Sequence, residues 1–145
     1  MTGASIINEM RVRLGDVDGI LDAADIDYSD SYLFEYIKAS NNVLTSSEII
    51  TSTYVASGTT FSPEPSTLDG LLLASHATYT LLKSDTAKKV KDGSLGIVFK
   101  SGQDQISTVE ASRGIQNIAQ EYYKEYRYLV MAKFVGDSNG IQRLQ

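Results

Sequence analysis

The sequence predicts a mostly α-helical fold: a small bundle of about four helices with a β-hairpin inserted before a long C-terminal helix, an extended arm and a C-terminal tail. Three observations carry this expectation. Apolar residues recur at three- and four-residue spacing over several separate stretches, the pattern of helices that bury one face. Both prolines fall in one run, "SPEPST" at 62–67, so the longest periodic stretches are free of helix breakers. Residues suited to extended backbone cluster in only two places, an arm at about 46–62 and a hairpin at about 95–107. A chain of 145 residues fits one domain, expected at 1–135, followed by an extended tail at 136–145.

In order along the chain, Ile6, Ile7, Met10 and Leu14 predict a short amphipathic helix over 4–14 that Gly15 ends. An acidic loop follows. The stretch "YSDSYLFEYIKASNNVLT" then opens a second helix, with Ser29 as its cap and Asp30 in the first turn. Leu33, Ile37 and Leu44 line one face of it, with Phe34 and Tyr36 beside them. "SSEIITSTYVASGTTFS", rich in Ser, Thr, Val and Ile, reads as an exposed, partly β arm. Pro63 and Pro65 favour extended backbone, after which Ser66 or Thr67 caps a third helix. Leu68, Leu71, Leu72, Ala74, Tyr79 and Leu82 make that helix apolar over most of its circumference, which marks it as the central one. "KSDTAKKVKDG" either continues it or breaks it at Ser84.

"LGIVFKSGQDQIS" has the pattern of a hairpin, with Ile97, Val98 and Phe99 in one strand, Ser101-Gly102 at the turn and Ile106 on the return. Ser107-Thr108-Val109-Glu110 matches the capping box, in which serine and glutamate side chains each satisfy a backbone amide at the helix start. The helix it opens carries Ile115, Ile118, Tyr122, Tyr126, Leu129 and Lys133 along one slowly drifting face and meets no breaker before Gly136. At about 1.5 Å per residue it spans roughly 40 Å. Its tyrosines, Tyr122, Tyr123, Tyr126 and Tyr128, surround it, and those off the core face suit a subunit interface or packing against the arm.

Composition narrows the chemistry. With no cysteine there is no disulfide, thiolate metal site or cysteine nucleophile. The one histidine, His76, lies in the most apolar helix, where a hydrogen-bonded core role outweighs catalysis. No nucleophile elbow, Walker loop or dinucleotide fingerprint occurs, so neither an enzyme nor a cofactor is expected. Glu9, Arg11 and Arg13 interrupt what a signal peptide would need, and no later stretch reaches the length of a membrane span, which predicts a soluble, unprocessed chain.

The window "GDVDGILDAADIDYSD" holds Asp16, Asp18, Asp22, Asp25, Asp27 and Asp30. A calcium loop of the EF-hand type needs ligands at positions 1, 3, 5 and 12 and glycine at 6. Starting at Asp16, position 5 is Ile20, the glycine arrives early as Gly19, and Asp27 stands where a bidentate glutamate belongs. Helix-start chemistry accounts for part of the cluster. Charge is also uneven: residues 1–75 carry eleven acidic against three basic residues, and residues 76–145 seven against ten. If the halves form different surfaces, copies meet acidic face to basic face, as in a head-to-tail ring, with Tyr123 and Arg127 as candidate contacts.

Taken in order, "MRVRLGD", "DYSDSYLFEYIKASNNVL" and "FSPEPSTLDGLLLASHATYTLL" resemble the head–tail connector, or adaptor, proteins of tailed bacteriophages: a short first helix, an aromatic-Ser-Asp helix start and a proline-bearing approach to a central helix. The hairpin and long last helix fit the same layout. "YSD" where tryptophan-Ser-Asp is more usual, and the long Thr/Ser arm, are departures. The resemblance implies a structural virion protein of the neck, assembled in the host cytoplasm as a dodecameric ring under the portal. Its partners would be the portal protein and the tail or head-completion proteins, with DNA passing non-specifically through the channel and no membrane involved. The tail, with Ile141, Arg143 and Leu144, would dock into the portal, and Asp16, Asp18, Asp22 and Asp25 would form an acidic surface of the ring. Two other functions compete: a calcium-dependent binding module built on the Asp16–Asp30 loop, and a small regulatory helical protein that binds nucleic acid through Lys88–Lys91, part of the densest basic run, Lys83, Lys88, Lys89 and Lys91.

Overall fold

The computed structural model describes residues 1–15, 28–91 and 117–135. The Asp-rich loop, the hairpin expected at 95–107, the capping box at Ser107 and the tail from 136 lie outside the described residues. Within them the chain is mostly helical, with four helices and one two-stranded antiparallel hairpin ahead of the last helix. The elements are α1 (Gly3–Leu14), α2 (Asp30–Ser46), β1 (Val55–Ser57), β2 (Thr60–Ser62), α3 (Thr67–Lys91) and α4, helical throughout 117–135.

Local signals set the helix ends. The Thr2 hydroxyl accepts from the Ser5 amide to start α1, and Gly15 ends it in the left-handed conformation at φ 71°, where a side chain would be strained. Ser29 caps α2 by accepting from the Tyr32 amide, with Asp30 in the first turn. Of the two candidates for α3, Ser66 is the cap: its hydroxyl accepts from the Asp69 amide at 3.1 Å. No break occurs at Ser84, and α3 runs on to Lys91.

The core is the meeting of α1, α2 and α3. Ile6, Ile7 and Met10 from α1, Leu33, Phe34, Ile37 and Leu44 from α2, and Leu72, Leu73, Ala74, Ala77 and Leu81 from α3 are buried together. Burying each large side chain contributes about 1.5–3 kcal/mol, which makes this cluster the main source of stability. Ser75 and Thr78 are also buried, and each donates to a carbonyl of its own helix, so no hydroxyl is left unpaired there.

The arm departs from expectation in one respect: it is anchored. Val55 is exposed, as a free arm requires, but Ile50, Tyr54 and Phe61 are buried, and the Phe61 ring lies 5.1 Å from that of Phe34. Alternation explains this. In a two-stranded ribbon one face must be covered, and Phe61 is the large apolar side chain available to cover it. Gly3 permits the close approach of α1, because a Cβ there would lie 2.0 Å from the Thr59 carbonyl oxygen.

Candidate functional site

Helix α4 runs antiparallel to α3, since its contacts advance as those of α3 retreat: Tyr123 meets Tyr79, Tyr126 meets His76, and Lys133 meets Asp69. Few of these contacts are aliphatic. Ala119 is buried and Leu129 and Val130 pack against the core edge, but charged and aromatic groups do most of the seating.

Near the start of α4, the Arg13 guanidinium donates to Glu125 at 2.6 Å and to Glu9 at 2.7 Å, while the Tyr122 hydroxyl donates to the Arg13 carbonyl. Burial alone would lower the Arg13 pKa, but the hydrogen bonds it donates to the two carboxylates more than offset this and hold the group above its ordinary value. Midway, His76 Nδ1 lies 2.9 Å from the Ser40 hydroxyl of α2, and its ring meets the Tyr126 ring at a centroid distance of 5.0 Å. Burial pushes the His76 pKa down and that of Tyr126 up, since each would be charged in a poorly solvated place. Toward the end of α4, Lys133 donates to Asp69 at 2.7 Å, and the other Asp69 oxygen accepts from the Tyr54 hydroxyl at 2.7 Å. Asp69 is 6% exposed and Lys133 15%, so this pair is shielded from solvent.

The outward side of α4 changes character along its length. Apart from the exposed Ile118, the first half is polar there, with Gln120, Glu121, Lys124 and Arg127 exposed. Beyond them Tyr128, Met131, Phe134 and Val135 are exposed by 74, 62, 51 and 56%. At 100° per residue Tyr128, Met131 and Val135 lie on the side opposite Ala119, Tyr126 and Lys133, with Phe134 on their flank, and together they form an apolar surface of about two turns.

Of the residues singled out from sequence, Arg127 is exposed, whereas Tyr123 is half-buried between Tyr79 and Tyr126. Asp16, Asp18, Asp22, Asp25, Ile141, Arg143 and Leu144 lie outside the described residues. Ile118, expected on the inner face, is 51% exposed, and Ala119 takes the buried place. The inner face is turned by the polar seats at Arg13, His76 and Asp69, which no count of apolar residues reveals. The Asp69–Lys133–Tyr54 group is likewise not legible from apolar spacing. Its one sequence signal is a lysine on an otherwise apolar stripe.

Among the described residues, no group of three His, Asp or Glu side chains is placed to hold a metal ion, and no helix is long and apolar enough to cross a membrane. No family model, curated protein or solved structure matches the chain.

Proposed function

We propose that the chain is a structural virion protein: a head–tail connector that forms a ring under the portal and links capsid to tail around the DNA channel. The observation that carries the proposal is the outward apolar surface of α4. Tyr128, Met131, Phe134 and Val135 are each more than half exposed, and a cluster of exposed apolar side chains along one helix suits a protein contact. Ile141 and Leu144 follow six and nine residues after Val135 in sequence, so the tail offers a partner two further apolar groups. The layout of a short capped helix, a Ser-Asp-started second helix, a proline-led central helix and a long last helix supports the same function. The acidic loop with Asp16, Asp18, Asp22 and Asp25 suits a ring surface that meets a basic neighbour or repels passing phosphate.

The test is made in the particle. Deleting residues 137–145, or replacing Met131 by Lys, leaves the isolated subunit folded and yields full heads without tails. Normal head–tail joining by both variants would contradict the proposal.

A further inference from the structure

The hairpin and α4 meet on one carboxylate. Lys133 of α4 donates to Asp69 Oδ1 at 2.7 Å, and the hydroxyl of Tyr54, the residue that leads into β1, donates to Oδ2 at 2.7 Å. Asp69 stands in the first turn of α3, where its amide donates to the Ser66 hydroxyl, so the central helix fixes its place. The Tyr54 ring continues inward to Phe61 of β2, with 6.3 Å between centroids, and Phe61 to Phe34 of α2. A path of direct contacts therefore runs from the end of α4 through Asp69 and Tyr54 to the far strand of the hairpin.

The two donors cannot act independently. A shielded carboxylate that loses one donor keeps its desolvation cost and has only the other donor to offset it. Water makes good the loss only by entering, and around an Asp69 side chain this well covered it enters only if α4 lifts or Tyr54 withdraws. With α4 seated, the Tyr54 bond forms away from water, where it is stronger; with α4 lifted, water competes for the same oxygens. Neither element is strong without the other's support. Two strands of three residues make a ribbon too short to be stable in water by itself, and α4 rests mainly on charged and aromatic contacts.

We propose that Asp69 is a shared latch through which the hairpin and α4 loosen together: displacing α4 from α3 frees the arm, and holding the arm secures the end of α4. The latch has two states. Shut, Asp69 accepts from Lys133 and Tyr54 and water is kept out; open, both donors have withdrawn and the carboxylate is hydrated. By linkage, anything that favours one state at α4 biases the hairpin by the same factor, and the reverse. The latch is a property of the folded subunit and does not rest on the connector function.

The test uses the whole chain and follows native-state amide exchange in the β1–β2 ladder and in α4, each relative to the amides of the buried Ile37 and Leu44. Lys133→Met, a change in α4, speeds exchange in the hairpin about ten-fold, and Tyr54→Phe, a change in the arm, speeds exchange in α4 to a similar degree. Lys133→Gln, which can still donate to Asp69, gives the same pattern at smaller amplitude. Tyr54→Phe and Lys133→Met together raise either rate by less than the product of their single effects, because one change has already opened the latch. With Asp69→Asn and Lys133→Met both in place no shielded charge remains, and adding Tyr54→Phe no longer alters α4. Four results would overturn the proposal. Hairpin exchange unmoved by Lys133→Met while α4 exchange rises would make the elements independent, as would single effects that simply multiply. A response of α4 to Tyr54→Phe that survives Asp69→Asn would place the coupling elsewhere. An equal rise at Ile37 and Leu44 would make the release global unfolding and not a latch.

Discussion

Helices α1 to α3 and helix α4 are held by different physics. The first three share a cluster of fully buried aliphatic and aromatic side chains with almost no charge inside it, whereas α4 sits on an arginine with two carboxylates, a histidine against a tyrosine, and a shielded lysine–aspartate pair. Apolar burial is non-directional and tolerates small shifts, while a hydrogen-bonded ion pair demands one geometry. The polar seat therefore fixes where α4 lies and which side it turns outward, and the outward side ends in Tyr128, Met131, Phe134 and Val135. Position comes from the seat, and stability comes chiefly from the other three helices.

Truncation should expose that division. Leu73→Ala empties the centre of the three-helix core and lowers global stability by about 2–5 kcal/mol in chemical denaturation. Asp69→Ala leaves Lys133 shielded without its counter-charge and Tyr54 without its acceptor. It costs about 3 kcal/mol, and amide exchange should quicken first in α4 and not in α1. The double change Asp69→Asn with Lys133→Met recovers part of that loss, because no unpaired charge remains.

A smaller effect follows pH. Burial holds the His76 imidazole below its ordinary value of 6.5, so the unfolded chain takes up a proton first as the solution is acidified. The contribution is constant above that value, falls as pH drops through it and levels off below the folded-state pKa. His76→Gln should flatten this part of a melting-temperature profile. The smallest effect on the subunit itself is that of Met131→Lys on the outer face, within about 0.5 kcal/mol of wild type, although it is the change expected to abolish assembly.

How much of this the sequence discloses depends on which force does the work. Helix α3 is legible because its apolar residues surround it, and a helix apolar on nearly all sides has to be central. The caps of α2 and α3 are legible because Ser29 and Ser66 act within three residues of themselves, whereas Thr2, which caps α1 in the same way, lies ahead of the apolar pattern that predicts that helix. The anchored arm is half legible: its β character follows from composition, but that Phe61 reaches Phe34 depends on how far the hairpin folds back. The seating of α4 is the least legible, since Arg13 and Glu125, or Asp69 and Lys133, are joined across long stretches of chain. Charges so far apart carry no periodic signal. Ile118 shows the consequence: apolar counting places it inside, and the polar contacts rotate it out.

The central claim is that the outward apolar half of α4 touches another protein in the assembled neck while its polar half does not. Site-specific photo-crosslinking in particles tests this most directly, with a photoreactive phenylalanine analogue at Tyr128 on the apolar half or at Gln120 on the polar half. The account predicts a discrete crosslink from position 128 to the portal or to an adjacent copy of the chain, and none from position 120. Particles that contain the protein yet give no crosslink at 128, or equal crosslinking at both positions, would contradict it.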